Sequence, residues 1–496
     1  MIHSRFKSPL SRSVAIFGVA LLLGVGFDQL FFKHAPGLSF PAYAAGLLAG
    51  LFGLAAYLGH KIRPGSWWLA VPFAGFAAMV ALRASEPLTL LNLGACWLLL
   101  LLMAQTTFRR RLPAMHVVEL VRIPLLPLQF FRPAWQTLGR LVATHRIIKT
   151  KPMTRQIVTG IALAVPMLIV FVALFASADL VVHKYVTDLI SVHVRPEFIA
   201  QTVLTTLATF ALVGGYAYIF EQAKPDDLTS LASRKPLIGK VESAILLGSV
   251  NVLFLAFIII QLTYLFGGQA NISGQGFTYA EYARKGFFEL LAVAVVAFGL
   301  LWWSEKHISR TEQDHETSFK VLGTLLILQV LLIMGSAFKR LYLYEQAYGF
   351  TTLRLYSQAF TILLAVVFLI LAYKILRSAA EQAMTLPILV AVIAFLCALN
   401  AINPDAFIAR QNLDRYRQTG KIDTAYLGHL SADATPTLLN NYPVLPTADA
   451  TALAAELNRQ RVQAILHDDH DWRSWNLAQT TASTALANKA EQLQEH

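Results

Sequence analysis

Long apolar runs separated by short charged stretches dominate the amino-acid pattern. Each run approaches the roughly 20 residues that a helix needs to cross the hydrocarbon core of a bilayer, where a helix satisfies its own backbone hydrogen bonds. The pattern predicts an all-α membrane protein with about 11 transmembrane helices. We expect them near residues 13–32, 40–59, 66–82, 87–105, 156–178, 200–220, 243–266, 286–303, 319–338, 357–376 and 384–402.

Two of these spans are less regular than the others. The third is short and carries Pro72, which makes it the weakest span of the set. The first has the basic start of a secretory signal, with Arg5, Lys7 and Arg12 before its apolar core. Its apolar run continues to Phe32 without a small-residue cleavage site, so we interpret it as an uncleaved span.

Composition and charge support the same class. The chain has 56% hydrophobic and only 14% charged residues, against about 25% charged in soluble domains. The excess of basic residues follows the positive-inside rule, because 24 of the 41 Lys and Arg residues lie in segments that are cytoplasmic if the N-terminus is cytoplasmic. The net charge of +12 therefore indicates membrane topology and needs no nucleic-acid partner.

The spacing of the spans divides the chain into four parts. A four-helix N-terminal membrane part (1–105) precedes a basic cytoplasmic segment (106–155), and a seven-helix membrane domain (156–402) precedes a soluble helical tail (403–496). The odd number of spans places the tail outside the cytoplasm. Cys96 and Cys397 both fall within spans and indicate nothing about disulfides.

The basic segment mixes arginines with apolar residues and prolines. Such a stretch can lie in the headgroup layer, with each basic residue contributing about 1 kcal/mol toward anionic lipid. The alternative is a linker that only sets the topology. The candidate lipid contacts are Arg109, Arg110, Arg111, Arg122, Arg132 and Arg140.

The tail has the pattern of short amphipathic helices. Asn403-Pro404-Asp405 predicts a helix start, Gly420 a helix end, and Ser431 the N-cap of a further helix. A longer helix is expected over Thr451–Ile465. Its apolar face should pack on the outer mouth of the membrane domain or on a partner protein.

Several segments together resemble one family of bacterial integral membrane proteins, the domain of unknown function 4173 family. The resemblance covers roughly residues 155–480 and implies a bacterial inner (plasma) membrane location without a known activity. The segments that carry it are FASAD (175–179), NVLFLAFIIIQLTYLFGG (251–268), TYAEYARKGFFEL (278–290), YEQAYGFTTLRLY (344–356), NPDAFIARQNLDRY (403–416) and DWRSWNLA (471–478).

Ionisable and polar side chains at membrane depth are the candidate functional residues, because burying a charge in hydrocarbon is costly unless it is paired or faces water. Glu289 has a competing interpretation as part of an interfacial ladder with Glu281 and Lys285. The residues near the tenth span also have two interpretations. They either anchor the protein at the membrane interface as part of an aromatic belt or form a re-entrant or tightly packed helical hairpin. The candidate polar cluster is Asn251, Gln261, Glu289, Arg340, Glu345 and Arg354.

Motifs for catalysis give no support to an enzyme. His315-Glu316-Thr317 has no accompanying nucleotide-binding domain, and the acidic histidine-containing stretch 467–471 is better explained as a solvated linker than as a metal site. Since there is no P-loop, HExxH, GxSxG or CxxC pattern, we expect neither a catalytic residue nor a cofactor nor a bound metal.

Three functions remain open from the sequence. The first is a non-enzymatic envelope, interaction or sensing protein, whose outer tail and cytoplasmic basic segment contact a protein partner or lipid. The alternative is a secondary transporter or ion-coupled permease, in which Glu289, Gln261 and Arg340 or Arg354 line one cavity. A lipid-modifying enzyme would need Asp179, His183 and Glu281 to meet near headgroup depth.

Overall fold

The fold is known from a computed structural model, which describes residues 8–62, 64–108, 112–144, 196–221, 239–266, 287–307, 313–466 and 471–494, together with three isolated residues. The secondary structure of this described part is helical, without a strand. The predicted class of all-α membrane protein is therefore confirmed. The isolated residues are Leu168, Phe175 and Lys184.

Ten apolar helices form the membrane part of the described chain. Nine of them are long and apolar enough to cross a bilayer, and the tenth, α3, contributes the shorter apolar stretch Trp67–Leu82. The ten helices are α1 (Pro9–Phe31), α2 (Ser39–Leu58), α3 (Pro64–Leu82), α4 (Glu86–Thr106), α7 (Pro196–Glu221), α8 (Lys240–Phe266), α9 (Phe287–His307), α10 (Gln313–Tyr348), α11 (Thr352–Arg377) and α12 (Gln382–Ile402).

These helices match ten of the predicted spans, and the span predicted over 156–178 lies outside the described residues. Three boundaries were wrong by more than four residues. Helix α10 begins at Gln313 where 319 was predicted, and α11 begins at Thr352 where 357 was predicted. The ninth span was predicted to end at 338, but α10 continues to Tyr348. Its last three turns carry polar side chains that neighbouring helices bury, so hydropathy underestimated the length of the helix.

Between α4 and α7 the described chain folds into short helices at one end of the membrane part. This confirms only that the basic segment is not one long helix, as its prolines predicted. The elements are a 3₁₀ turn (Leu112–Ala114), α5 (Val117–Arg122), a 3₁₀ segment (Ile123–Gln129) and the amphipathic α6 (Phe131–Thr144).

The membrane helices pack around two main apolar cores. Helices α1 to α4, α6 and α7 form the first, with α1 lying along α7. Helices α8 to α11 form the second, and α12 contributes Leu396 to the first core and Met384 to the second. Gly50 of α2 allows a close approach, because a Cβ there would lie 2.6 Å from the hydroxyl of Tyr216 and 3.0 Å from Val19. The small-residue pattern in α2 therefore serves packing within the chain.

The tail forms a helical domain with an apolar core of its own, centred on Leu438, Leu453 and Leu457. Its first helix begins at Pro404 and ends at Gly420, as predicted. Ser431 does not cap a helix. The helices are α13 (Pro404–Thr419), α14 (Thr424–Gly428), α15 (Thr435–Asn441), α16 (Thr447–Leu466), α17 (Leu477–Asn488) and α18 (Ala490–Gln494).

Within the described residues, the tail contacts one end of the membrane part. Its hydrogen bonds reach the α1–α2, α3–α4 and α10–α11 connections, which the alternation of spans predicts to lie on one side. The short helices of the basic segment contact the opposite end, near Glu221 and Glu381. Which of these ends faces the cytoplasm remains a prediction.

Candidate functional site at the junction of membrane part and tail

The candidate polar cluster separates into several local contacts. Gln261 of α8 and Arg340 of α10 are both buried and are hydrogen-bonded through the arginine Nη2 and the glutamine Oε1. The hydroxyl of Ser336 donates to the same oxygen at 3.1 Å. Hydrogen bonds between membrane helices stabilise their packing by about 0.6–2 kcal/mol, so this contact joins α8 to α10.

The remaining buried members form separate pairs. The Gln358 amide donates to Glu345 at 2.6 Å, which joins α11 to α10. Asn251 donates to the Leu322 carbonyl at 3.1 Å and receives a bond on its own carbonyl from Gln329 at 3.1 Å. These polar side chains bind α10 to the neighbouring helices α8 and α11.

Two members lie elsewhere. Arg354 donates to the Gly349 carbonyl at 2.5 Å, and its guanidinium carbon lies 4.2 Å from the centre of the Tyr344 ring. Glu289 is exposed on the surface of α9, and its predicted ladder partners lie outside the described residues. Among the six residues, the described contacts join Gln261 to Arg340 by a hydrogen bond and place Arg354 within electrostatic range of Glu345. Glu289 has no described contact with the other five.

The candidate lipid contacts also separate. Arg122 and Arg132 are exposed beside exposed apolar side chains, whereas Arg140 pairs with buried Glu221 at 2.7 Å and so has a structural partner. Arg109, Arg110 and Arg111 lie outside the described residues. The exposed apolar side chains of this segment are Val121, Leu125, Leu128, Phe131 and Trp135.

An apolar cavity of about 250 Å³ lies beside this segment. Side chains from α2, α4 and α7 line it together with Phe130 and Phe131, and the Tyr216 hydroxyl at its wall donates to the Leu47 carbonyl at 3.0 Å. Its lining is almost wholly apolar. It is a space that acyl chains of the surrounding bilayer can fill.

The largest set of polar contacts between distant parts of the sequence joins the tail to the α10–α11 connection. The side-chain amide of Asn412 donates to the Phe350 carbonyl at 2.9 Å and accepts from the Phe350 N–H at 2.8 Å. The Thr352 N–H donates to the Tyr426 hydroxyl at 2.7 Å. Gly349 adopts φ +85°, and a Cβ there would lie 2.5 Å from the Asn412 Oδ1, so this turn requires glycine.

A second contact joins the tail to the α3–α4 connection. The buried carboxylate of Asp433 accepts from the N–H groups of Ala84 at 2.7 Å and Ser85 at 2.9 Å. Arg83 lies 3.6 Å from the same carboxylate and donates to the Asn400 carbonyl at 2.7 Å. The tail therefore supplies the partners for a connection of three residues between two membrane helices.

The third contact is a short segment that we call the strap, residues 471–476. Its backbone carbonyls at Arg473 and Trp475 accept from the N–H groups of Ser39 at 3.1 Å and Leu38 at 2.9 Å. The Arg473 guanidinium also donates to the Gln29 carbonyl at 2.8 Å. The strap thus fastens the α1–α2 connection to the tail.

Sequence comparison assigns this arrangement to a family. The pattern of one family, described as Domain of unknown function (DUF4153), matches residues 70–441, about three quarters of the chain. The chain belongs to the DUF4153 family. The family number expected from the sequence, 4173, was wrong, although both are families of unknown function. No curated protein and no solved structure matches the chain.

The DUF4153 match corrects one further expectation. The first four spans carried none of the segments behind the resemblance, yet the match begins at residue 70, within α3. It therefore includes α4, the basic segment and the first part of the tail. It ends at residue 441, the last residue of α15, and so includes Asp405, Asn412 and Asp433 but not the strap.

A concentration of buried polar atoms without hydrogen-bond partners marks this junction of the DUF4153 region. Within the described residues, six such atoms belong to side chains around Asp433. The Tyr356 hydroxyl lies within electrostatic range of Asp405 and Asp433 and beside the Ser85 hydroxyl. We call this set the polar joint: Arg83, Ser85, Tyr356, Asn403, Asp405, Ser431 and Asp433.

The polar joint was missed in the sequence because its members come from four separate segments. Asn403 precedes α13 at the predicted helix start, and its side-chain amide donates to Asp433 at 3.2 Å. Ser431 donates its backbone N–H to Asp405 at 3.3 Å. The described residues contain no group of three or more His, Cys, Asp or Glu side chains placed to hold a metal ion.

Proposed function

We propose that this multi-pass membrane protein is a non-enzymatic interaction or sensing protein of the bacterial inner membrane. The observation that carries the proposal is the attachment of the tail. Three connections between membrane helices, the first and last of them more than 300 residues apart in sequence, are each bound by the tail through side-chain or backbone hydrogen bonds. A tail held in this way is a fixed platform on one face of the membrane part.

Two properties of the platform suit recognition of a partner. Its core is self-contained, so the face of α16 directed away from the core is free to make contacts, with Arg459 and Val462 exposed there. Attachment by several hydrogen bonds keeps this face in a fixed orientation, which lowers the entropic cost of binding a partner.

Anionic lipid is the second partner that we propose, at the opposite end of the membrane part. Arg122 and Arg132 lie among exposed apolar residues of the short helices, which is the pattern of a segment resting in the headgroup layer. Arg140 is excluded from this role, because its guanidinium is already bound to Glu221.

The platform proposal is tested by purification from native membranes under mild detergent. We expect the wild-type protein to be recovered with a stoichiometric partner. The variant Asn412→Ala should lose that partner because its platform is loosened. The matched control Asn488→Ala changes an exposed asparagine at the end of α17, outside the α16 face proposed for the partner, and it should retain the partner. A wild-type protein that isolates alone, with its tail attached, would contradict the proposal.

A secondary transporter is the second candidate, and one contact favours it. Arg340 is a buried charged residue on a membrane helix, a position that often marks an ion or substrate pathway. The version that requires Glu289 at the same cavity is not supported, since Glu289 is exposed on α9. Flux of a cation through proteoliposomes that Arg340→Gln abolishes and Glu289→Gln leaves intact would favour transport over the platform.

A further inference from the structure

Several buried polar oxygen atoms at the polar joint have incomplete hydrogen bonding within the described residues. Asp405 is 4% exposed, and its one hydrogen bond comes from the backbone of Ser431, at 3.3 Å to Oδ2. Its other oxygen, Oδ1, has no partner among the described residues. A buried carboxylate that is neither paired nor fully hydrogen-bonded is energetically unfavourable.

The neighbouring side chains do not relieve this carboxylate. Ser85 is fully buried, and the hydrogen-bonding neighbour of its hydroxyl within the described residues is the Tyr356 hydroxyl. The Tyr356 hydroxyl lies within electrostatic range of Asp405 and Asp433, and neither hydroxyl has a well-formed hydrogen bond to a third group within the described residues. Further orphaned oxygens belong to Asn403 and Ser431.

The charges of the joint do not cancel. Arg83 lies 3.6 Å from Asp433 and compensates one carboxylate. Asp405 lies in the first turn of α13, whose N-terminus offsets part of its charge, but it has no basic partner among the described residues. The side chains of the joint therefore carry a net charge of −1 when both aspartates are ionised. Buried polar atoms without partners are uncommon in folded proteins, and an ion or water that completes their bonding is an ordinary explanation.

We propose that the polar joint binds a hard metal cation through oxygen atoms, with Asp405 as its charged ligand. The neutral donors are the hydroxyls of Ser85, Tyr356 and Ser431 and the side-chain carbonyl of Asn403. Hard cations such as Ca²⁺ take carboxylate, amide and hydroxyl oxygens in flexible geometry, and a single unbalanced charge also suits Na⁺. Because Asp405 belongs to the tail and Ser85 and Tyr356 to the membrane part, the cation would fasten the two together.

The cation would strengthen the attachment of the tail to the membrane part. This inference does not depend on the proposed interaction function. The experiment uses the purified full chain in detergent, dialysed into an organic-cation buffer of matched ionic strength. NaCl and CaCl₂ are then titrated in separate arms, and the unfolding temperature is measured. For the ion that binds, we expect a rise of roughly 1–3 °C for each tenfold increase in concentration above the dissociation constant.

Asp405→Asn should abolish this rise. Its matched control is Asp414→Asn, which removes the same charge from an exposed position on α13, where Asp414 pairs with Arg417 at 2.8 Å. The control should respond to the cation as the wild type does. Equilibrium dialysis with elemental analysis should find about one bound cation per chain in the wild type and in Asp414→Asn, with a loss of binding in Asp405→Asn.

If Asp405→Asn does not fold, Ser85→Ala and Tyr356→Phe provide the test, since each removes one neutral donor and should weaken binding about tenfold. The proposal is overturned if neither cation raises the unfolding temperature of the wild type and dialysis finds no bound ion. Water molecules would then satisfy the buried oxygen atoms of the polar joint. The proposal is also overturned if Asp405→Asn and Asp414→Asn respond equally.

Discussion

Asn412 binds the backbone of Phe350 through both polar atoms of its side-chain amide, at 2.8 Å and 2.9 Å. The two residues belong to different parts of the protein, because Asn412 lies on α13 of the tail and Phe350 between two membrane helices. The side-chain amide pairs with the N–H and the carbonyl of one residue, as the backbone of a neighbouring β-strand would. It fixes the position of the tail relative to α10 and α11.

We expect Asn412→Ala to destabilise the attached tail by about 1–3 kcal/mol, because the Phe350 N–H and carbonyl lose their partners. The measurement is the rate of limited proteolysis of the tail, together with thermal unfolding. Asn488→Ala is the control and should change neither. An Asn412→Ala tail as resistant as the wild type would show that other contacts are sufficient.

Gly37 marks the close approach between the α1–α2 connection and the strap. A Cβ at this position would lie 2.5 Å from the Trp475 carbonyl oxygen and 2.6 Å from that of Ser474. Since backbone atoms cannot move aside as a side chain can, Gly37→Ala should displace the strap and expose it to protease. Gly53→Ala, on α2 where a Cβ meets nothing within 4 Å, should be as resistant as the wild type.

Acid should release the strap. Hydrogen bonds from the Arg473 side chain and backbone lower the pKa of Asp471 from its ordinary value of 3.8 to about 2. A lowered carboxylate pKa stabilises the folded form above 3.8, and this contribution is lost as the pH falls from 3.8 toward 2. We expect fluorescence of the exposed Trp472 to report the release in this window. Asp471→Asn should lack the transition, and a wild-type signal constant down to pH 2 would contradict the prediction.

Arg132 and Arg140 should give different effects when each is changed to Gln. Arg132→Gln removes an exposed charge from the segment next to the membrane and should weaken the binding of anionic vesicles about fivefold, for about 1 kcal/mol per basic residue. Arg140→Gln should lower thermal stability and leave vesicle binding close to that of wild type, because it removes the ion partner of Glu221. Equal losses of vesicle binding would contradict this assignment.

The spans could be predicted because each one, by itself, is long and apolar enough to cross the bilayer and to satisfy its own backbone hydrogen bonds. Length and apolar composition are local properties of the sequence, so helices such as α8 and α12 were placed within a few residues. The end of α10 was not, since Arg340 and Glu345 look like residues of a loop until their partners Gln261 and Gln358 are known. Burial of a polar group depends on a partner that may be remote in sequence.

The polar joint illustrates the same limit for sites. Tyr356, Asn403 and Asp405 belong to segments that were recognised as distinctive, but Ser85 and Asp433 carried no signal of their own. Only the packing of the tail on the α3–α4 connection brings these residues together. Two members of the predicted polar cluster, Gln261 on α8 and Arg340 on α10, do bind each other. Glu289 was expected beside them but is exposed on the surface of α9.

The bond between Arg473 and Gln29 joins positions 444 residues apart. At a synthesis rate of about 5–20 residues per second, the first of these positions is made roughly 20–90 s before the second. During that interval the α1–α2 connection has left the ribosome, but the strap that binds it has not yet been made. The later membrane helices are still being inserted at this stage. Any factor that protects nascent outer loops would therefore meet this connection early and release it only when translation reaches the strap.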